Sequence, residues 1–213
     1  MNNHLHHIRD AVIAGRHKEI DALVEKAIKD GVNLDKLIND AMIRAMDVVG
    51  QRFSSGEIFV PEMLASAATM KRGLDLVKPL MKDQKAESKG TVIMCTVKGD
   101  IHDIGKNLVI MMLEGAGFTV IDLGVNLTVD KLIEEVARIK PDVLGLSALL
   151  TTTMTEMKRA IEALETNGLR SGLKVMVGGA PVDAAFAEKI GADGYGEDAA
   201  VAVMLARRLI SEK

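Results

Sequence analysis

Cysteine is almost absent: Cys95 stands alone in 213 residues, which excludes both a disulfide framework and a cysteine zinc cluster. Long apolar runs are missing too. The longest uncharged stretches, such as 143–150, fall far short of the roughly 20 residues a membrane helix needs. Residues 1–10 are polar where a secretion signal would be greasy, so the expectation is a cytoplasmic chain with no membrane segment. A net charge of -3 leaves no broad basic footprint for nucleic acid. Aromatics are only 2%, with no tryptophan, whereas methionine reaches 13 residues, and its adaptable side chain suits helix cores. What is there, 48% hydrophobic and 27% charged residues, suffices for one mid-sized domain or two small ones.

The apolar pattern changes partway along. Residues 1–88 read as helix: Ile20, Leu23, Val24, Ala27 and Ile28 keep one stripe, and a second runs through Leu34, Leu37, Ile38, Ala41, Met42, Ala45, Met46 and Val49. A third begins near Pro61 and continues through Met63, Leu64, Ala67, Met70, Leu74 and Val77 to Pro79. With a shorter helix before Gly15 this makes a four-helix bundle. The charged stretch 81–90 marks a solvated connection and hinge. From 89 to 213, short apolar runs at 91–97, 118–123, 143–147, 173–178 and 194–195 alternate with helical patterns. That rhythm predicts an α/β domain, a flavodoxin-like (Rossmann-type) doubly wound five-stranded parallel sheet of order 2-1-3-4-5. Ligands of such sheets bind outside the strands' carboxyl ends, at the switch point between the first and third strands.

At that point the first strand runs into Gly99-Asp100-Ile101-His102-Asp103-Ile104-Gly105-Lys106. Residues two apart in an extended loop project to one side, so Asp100 can accept from one imidazole nitrogen of His102 and leave the other as a free lone pair. A carboxylate so placed orients a histidine metal ligand. The alternative makes Asp100 and Asp103 turn and cap residues beside a bystander histidine. A phosphate loop is disfavoured, because the glycines match neither G-x-G-x-x-G nor a Lys-Ser/Thr ending. The third strand ends in Ser147-Ala148-Leu149-Leu150-Thr151-Thr152-Thr153, more hydroxyls than one helix cap explains. The fourth ends in Gly178-Gly179, which admits either a ligand or another backbone, or makes a tight turn before Pro181. The four histidines at 4, 6, 7 and 17 lack paired ligand spacing and read as a solvated terminus; Cys95, inside a strand, reads as a buried small hydrophobe.

Asp100-x-His102-x-x-Gly105, Ser147-x-Leu149 and Gly178-Gly179, in order after successive strands, resemble the base-off, histidine-on cobalamin-binding domain of methionine synthase, methyltransferase corrinoid proteins and some mutases. The resemblance implies that His102 is the lower cobalt ligand, replacing the cofactor's own base. The loop Gly99, Asp100, Ile101, His102, Asp103, Ile104, Gly105 then lies against the cofactor, and its displaced nucleotide tail beside Ser147, Leu149 and Gly178-Gly179. Thr151 matches a cofactor-contacting threonine, Ala199 a backbone near the corrin or its tail, and Thr153 the serine of an Asp-His-Ser relay, so Asp100, His102 and Thr153 form the implied catalytic set. The run Phe53-x5-Phe59-Val60-Pro61-Glu62-Met63-Leu64, with 65–67 and Met70-Lys71, looks like the helical cap over the upper cobalt face. Phe53 and Val60 match its apolar positions, Val60 being smaller than the usual leucine. Asn39 stands where methionine synthase has a cofactor-contacting glutamate.

The 213 residues leave no room for methionine synthase's substrate barrels, so the chain looks like the corrinoid protein of a multi-component methyltransferase, a carrier and not a complete enzyme. Its cofactor would be cobalamin, alternating between cob(I)alamin and methylcob(III)alamin. The implied partners are a substrate:corrinoid methyltransferase, a second methyltransferase passing the methyl to tetrahydrofolate, a tetrahydropterin or a thiol, and a corrinoid reactivating protein. Choice among methanol, methylamines, betaines and aryl methyl ethers would rest with the first of these. A cobalamin-dependent regulator would bring a basic DNA-binding module, a mutase subunit generally lacks the cap, and a flavin domain leaves the His102 context without a role.

Overall fold

The structure, a computed structural model, describes residues 2–81 and 88–212. Most of the connection expected at 81–90 therefore lies outside the described residues. Contacts divide the chain into two compact units, Met1–Ser88 with Glu114–Gly117, and Lys89–Leu113 with Phe118–Lys213.

In the first unit, α1 (Asn2–Ile13), α2 (Ile20–Lys29), α3 (Leu34–Lys36), α4 (Arg44–Ser54) and α5 (Val60–Val77) bury the stripes that their spacing foretells. Asn33 starts α3 by accepting the Lys36 amide at 3.0 Å, an N-cap. The second stripe is not α-helical throughout. Leu37–Ile43 is a π-helical turn, which feeds directly into α4. Such a turn widens the helix by one residue and is frequent at functional sites; here it carries Asn39, whose Nδ2 donates to the Asp35 carbonyl at 3.0 Å. The third stripe also stops short of Pro79: α5 ends at Val77 and a 3-10 turn, Lys78–Met81, follows. A residue before proline is pushed out of the α region. Methionines 42, 46, 63 and 70 fill the interior between the helices.

The second unit is a five-stranded sheet, wholly parallel, in the order β2-β1-β3-β4-β5. Its strands are β1 (Thr91–Thr96), β2 (Thr119–Asp122), β3 (Val143–Ser147), β4 (Lys174–Gly178) and β5 (Gly194–Gly196). The helices α6 (Ile104–Gly115), α7 (Val129–Ile139), α8 (Met154–Thr166), α9 (Ala184–Lys189) and α10 (Ala199–Ser211) alternate with them. β1, β3 and β4 are buried along nearly their whole length, as continuous apolar runs require when both sheet faces are covered. Side chains capping α7, α9 and α10 (Thr128, Asp183 and Asp198) each accept an amide of the first turn. Thr96, Ser147, Gly178 and Gly196 pair as one rung across the sheet. Beyond that rung lie the loops that build the site.

Candidate functional site

β1 delivers the chain to Asp100 at the centre of the sheet's carboxyl edge. Asp100 is fully buried, and the contacts of its carboxylate come from two loops. Its Oδ1 accepts the His102 amide at 3.1 Å and lies 2.7 Å from His102 Nδ1. Its Oδ2 accepts the amides of Leu149 at 2.7 Å and Leu150 at 3.3 Å. The Thr153 hydroxyl stands 2.8 Å from the same oxygen and 2.9 Å from the Leu150 carbonyl, with one proton to share between them. Burial alone would raise the Asp100 carboxyl; the Leu149 amide, the ring and amide of His102 and the Thr153 hydroxyl outweigh it and hold the carboxyl well below the usual carboxylate range. Asp100 is therefore ionised and can only accept, which fixes the proton of His102 on Nδ1 and leaves Nε2 the free ring nitrogen. The His102 side chain is 47% exposed and Nε2 makes no hydrogen bond among the described residues.

The pair meets for a different reason than strand-like alternation. The His102 amide closes back on the Asp100 carboxylate in an Asx turn, so the same oxygen holds backbone and ring. Asp103, a turn or cap residue in the alternative, precedes α6, and its Oδ2 accepts Asn107 Nδ2 at 3.1 Å, a side chain and not a first-turn amide. Thr153, at the start of α8, makes no cap bond and faces Asp100 instead. Thr151 is exposed, and Ser147, half-buried, ends β3.

Exposed apolar side chains border the histidine's loops: Ile101 is 73% exposed, Ile104 77%, Leu149 43%, and Val125 and Leu150 are comparable to Leu149. A grouping of this kind on loops of one sheet edge signals a ligand or partner surface. Gly105, in the first turn of α6, has nothing within 4 Å of where a Cβ would stand, so packing does not explain its missing side chain. Gly178 and Gly179 are explained by packing. A Cβ on Gly179, at φ +130, would lie 1.9 Å from the Ala148 carbonyl oxygen, and one on Gly178 would lie 2.9 Å from that of Gly196. Of the readings of these glycines, the geometry supplies neighbouring backbone and also the tight turn, since the Val182 amide donates to the Gly179 carbonyl at 2.9 Å across Pro181. Ala199 opens α10 and is buried.

In the helical unit Phe53 is half-buried in the last turn of α4, Val60 half-buried at the start of α5, and Asn39 exposed on the π turn. Phe59 is 68% exposed, its amide held by the Glu62 carboxylate at 2.7 Å. Cys95 is buried and its thiol is pushed up to about 12 by burial, which leaves it a hydrophobe and no nucleophile. His4 pairs with Asp30 at 3.1 Å and His6 lies 3.0 Å from Arg9; no group of three metal-binding side chains forms among the described residues. No described helix is long and apolar enough to cross a membrane.

Sequence reasoning did not find two features of the site. Lys106, buried in α6, pairs with Asp122 at the end of β2 at 2.7 Å. Asn126, beyond β2, bonds the backbone on either side of the Gly99–Asp100 peptide.

A half-exposed imidazole, aimed by a buried carboxylate at the switch point of a doubly wound sheet and bordered by apolar side chains, makes this an α/β domain whose site can offer one ring nitrogen to a ligand. Comparison with known proteins is specific. Two family models, each described as a B12 binding domain, match residues 90–204 and 5–78. A corrinoid protein of Desulfitobacterium hafniense is 37% identical over 98% of both chains, and the dimethylamine corrinoid protein of Methanosarcina barkeri 41% identical over 97% of both. Among solved structures, the methanol:cobalamin methyltransferase complex of Methanosarcina barkeri superposes with a TM-score of 0.89 at 31% identity, covering 100% of this chain and 81% of that one. The chain belongs to the corrinoid proteins of methyltransferase systems, and its cofactor is a cobalamin.

Proposed function

We propose that this chain carries a methyl group between two methyltransferases on a cobalamin whose lower cobalt ligand is His102. The observation that carries the proposal is the Asp100–His102 pair, with Nδ1 committed to a buried carboxylate and Nε2 free at the mouth of the switch point. When bound, the cofactor supplies a nucleophilic metal that accepts and releases a methyl group.

The chain's own residues do the rest. Asp100 directs the ring and holds its proton on Nδ1, and Thr153 steadies the Asp100 carboxylate from the far side. Ile101, Asp103, Ile104 and Gly99 form the floor beside His102, with Gly105 leaving space at the start of α6. Ser147, Leu149, Thr151, Gly178, Gly179 and Ala199, on the next loops of the same edge, line the path of the nucleotide tail. Phe53, Val60 and Asn39 belong to the helical domain, residues 1–88, which caps the reactive face and shields it from water. Residues 89–213 hold the cofactor.

A methyltransferase that binds the methylated substrate is the first partner, as in the complex to which the chain is similar. The dimethylamine protein among its relatives points to a methylated amine or alcohol as the source. A second methyltransferase, acting toward a tetrahydropterin, tetrahydrofolate or a thiol, and a reactivating protein complete the system, and a cytoplasmic location goes with that role. The test is loading of the purified chain with cobalamin, followed by transfer of an isotope-labelled methyl group from a substrate methyltransferase. One cofactor per chain and label retained on the protein are expected. Binding without label uptake from any of the methanol-, methylamine-, betaine- and aryl-ether-specific enzymes would remove the carrier role and leave a regulator.

A further inference from the structure

The loop after β2 braces the histidine loop. Asn126 adopts a left-handed backbone, φ 53, a region that asparagine tolerates better than most L-residues. In that conformation its Oδ1 accepts the Gly99 amide at 2.8 Å, and its own amide donates to the Asp100 carbonyl at 2.9 Å. The brace is itself anchored. Gly124 accepts the Thr96 amide at 2.9 Å, the Leu127 amide donates to the Thr96 carbonyl at 3.1 Å, and the Gly124 amide donates to Asp122 at 2.9 Å. Asn126 is exposed and adds nothing to the core, so its two bonds serve the Gly99–Asp100 segment alone.

The Asp100 carboxylate is fixed at its tip by Leu149, Leu150 and Thr153, all in the loop after β3. A side chain held only at its tip leaves the main chain free to pivot about it, and His102, two residues on, would swing with that pivot. Thr96, fully buried, restrains the far end by donating to the His102 carbonyl at 2.9 Å. At the near end the Asp100 amide donates to the Val97 carbonyl at 3.2 Å, and Asn126 adds the restraint on the Gly99 amide and the Asp100 carbonyl. With tip and both ends held, the 2.7 Å contact between Asp100 and His102 Nδ1 has one geometry, and Nε2 one direction.

We propose that Asn126 is a positioning residue for His102, fixing through Gly99 and Asp100 the direction in which Nε2 is presented. The inference rests on the reading of His102 as the cobalt ligand. Asn126→Gly keeps the left-handed backbone and removes Oδ1, whereas Asn126→Asp keeps both the acceptor and the tolerance of that backbone. Two measurements decide. In cofactor-free protein, hydrogen exchange of the Gly99 amide should quicken by about fivefold to tenfold in Asn126→Gly, the range one hydrogen bond is worth. In protein loaded with aquocobalamin at a fixed neutral pH, the visible spectrum gives the ratio of histidine-bound to histidine-free cobalt, and that ratio should fall by a similar factor. Asn126→Asp should restore both. Unchanged Gly99 exchange overturns the proposal, and so does faster exchange with an unchanged ratio, because the bond would then be merely structural. A wild-type chain that binds cobalamin with the cofactor's own base still on the metal overturns the His102 reading first, before any variant is compared.

Discussion

Two aspartates each pair with a nitrogen-bearing side chain at the ends of adjacent strands, and the exposure of the two pairs is reversed. At the end of β1 the anion is buried: the Asp100 side chain is 0% exposed and that of His102 47%. At the end of β2 the cation is buried: Lys106 is 1% exposed and Asp122 41%. Both contacts measure 2.7 Å, so distance does not distinguish them. The difference lies in which partner can meet a third group. His102 offers a ring nitrogen outward, while Lys106 is enclosed and ties the first turn of α6 to β2. One pair can work on a ligand, and the other holds the loop that carries it.

That asymmetry is sharpest in stability. Asp122→Ala strands a buried ammonium with Asn107 as its remaining bonding partner, and should cost about 3 kcal/mol. Lys106→Met leaves a carboxylate that water can reach, and should cost no more than about 1 kcal/mol. Equal losses in denaturant unfolding would break the distinction between the pairs.

Asp100 should show itself in acid. Its carboxyl is held well below the usual range in the folded chain, so its contribution is complete above the ordinary aspartate value of about 3.9 and is lost as pH falls toward the lower folded value. Asp100→Asn cannot lose a proton and should be less stable than wild type at neutral pH by about 2 kcal/mol. The gap should close below pH about 4. Unfolding curves that stay parallel from neutral to acid would contradict the assignment.

The smallest effect belongs to Thr153. Thr153→Ala removes one of the donors to Asp100 and should cost about 1 kcal/mol. Thr153→Ser, which keeps the hydroxyl, should recover most of it; identical losses in the two variants would mean that the methyl group's packing and not the hydroxyl matters.

The sheet was legible because long buried runs such as β1 have one comfortable home, a parallel sheet covered on both faces. The Asp100–His102 pair was legible from its spacing, although an Asx turn and not strand alternation makes the contact. The excess of hydroxyls marked only the segment 147–153; Thr153 within it was picked by the family resemblance. Gly178-Gly179 could be read as a close approach or a tight turn, since sequence does not say what arrives; here the Ala148 and Gly196 carbonyls approach, and the Val182 amide closes the turn on Gly179. Lys106 and Asn126 had no local signature. Their partners lie 16 and 27 residues away, and the contacts exist only once β1 and β2 are paired. The π turn was hidden for a related reason, because Leu37, Ile38, Ala41 and Met42 stay buried whichever helix carries them.

The central claim, that the exposed nitrogen of His102 is the metal's lower ligand, is tested most directly by electron paramagnetic resonance of the Co(II) state. Chain grown with 15N-labelled histidine and loaded with unlabelled cobalamin should show superhyperfine splitting that changes from the triplet of 14N to the doublet of 15N, and His102→Ala should abolish it. A triplet that persists in the labelled chain would place the cofactor's own base on the metal and contradict the account.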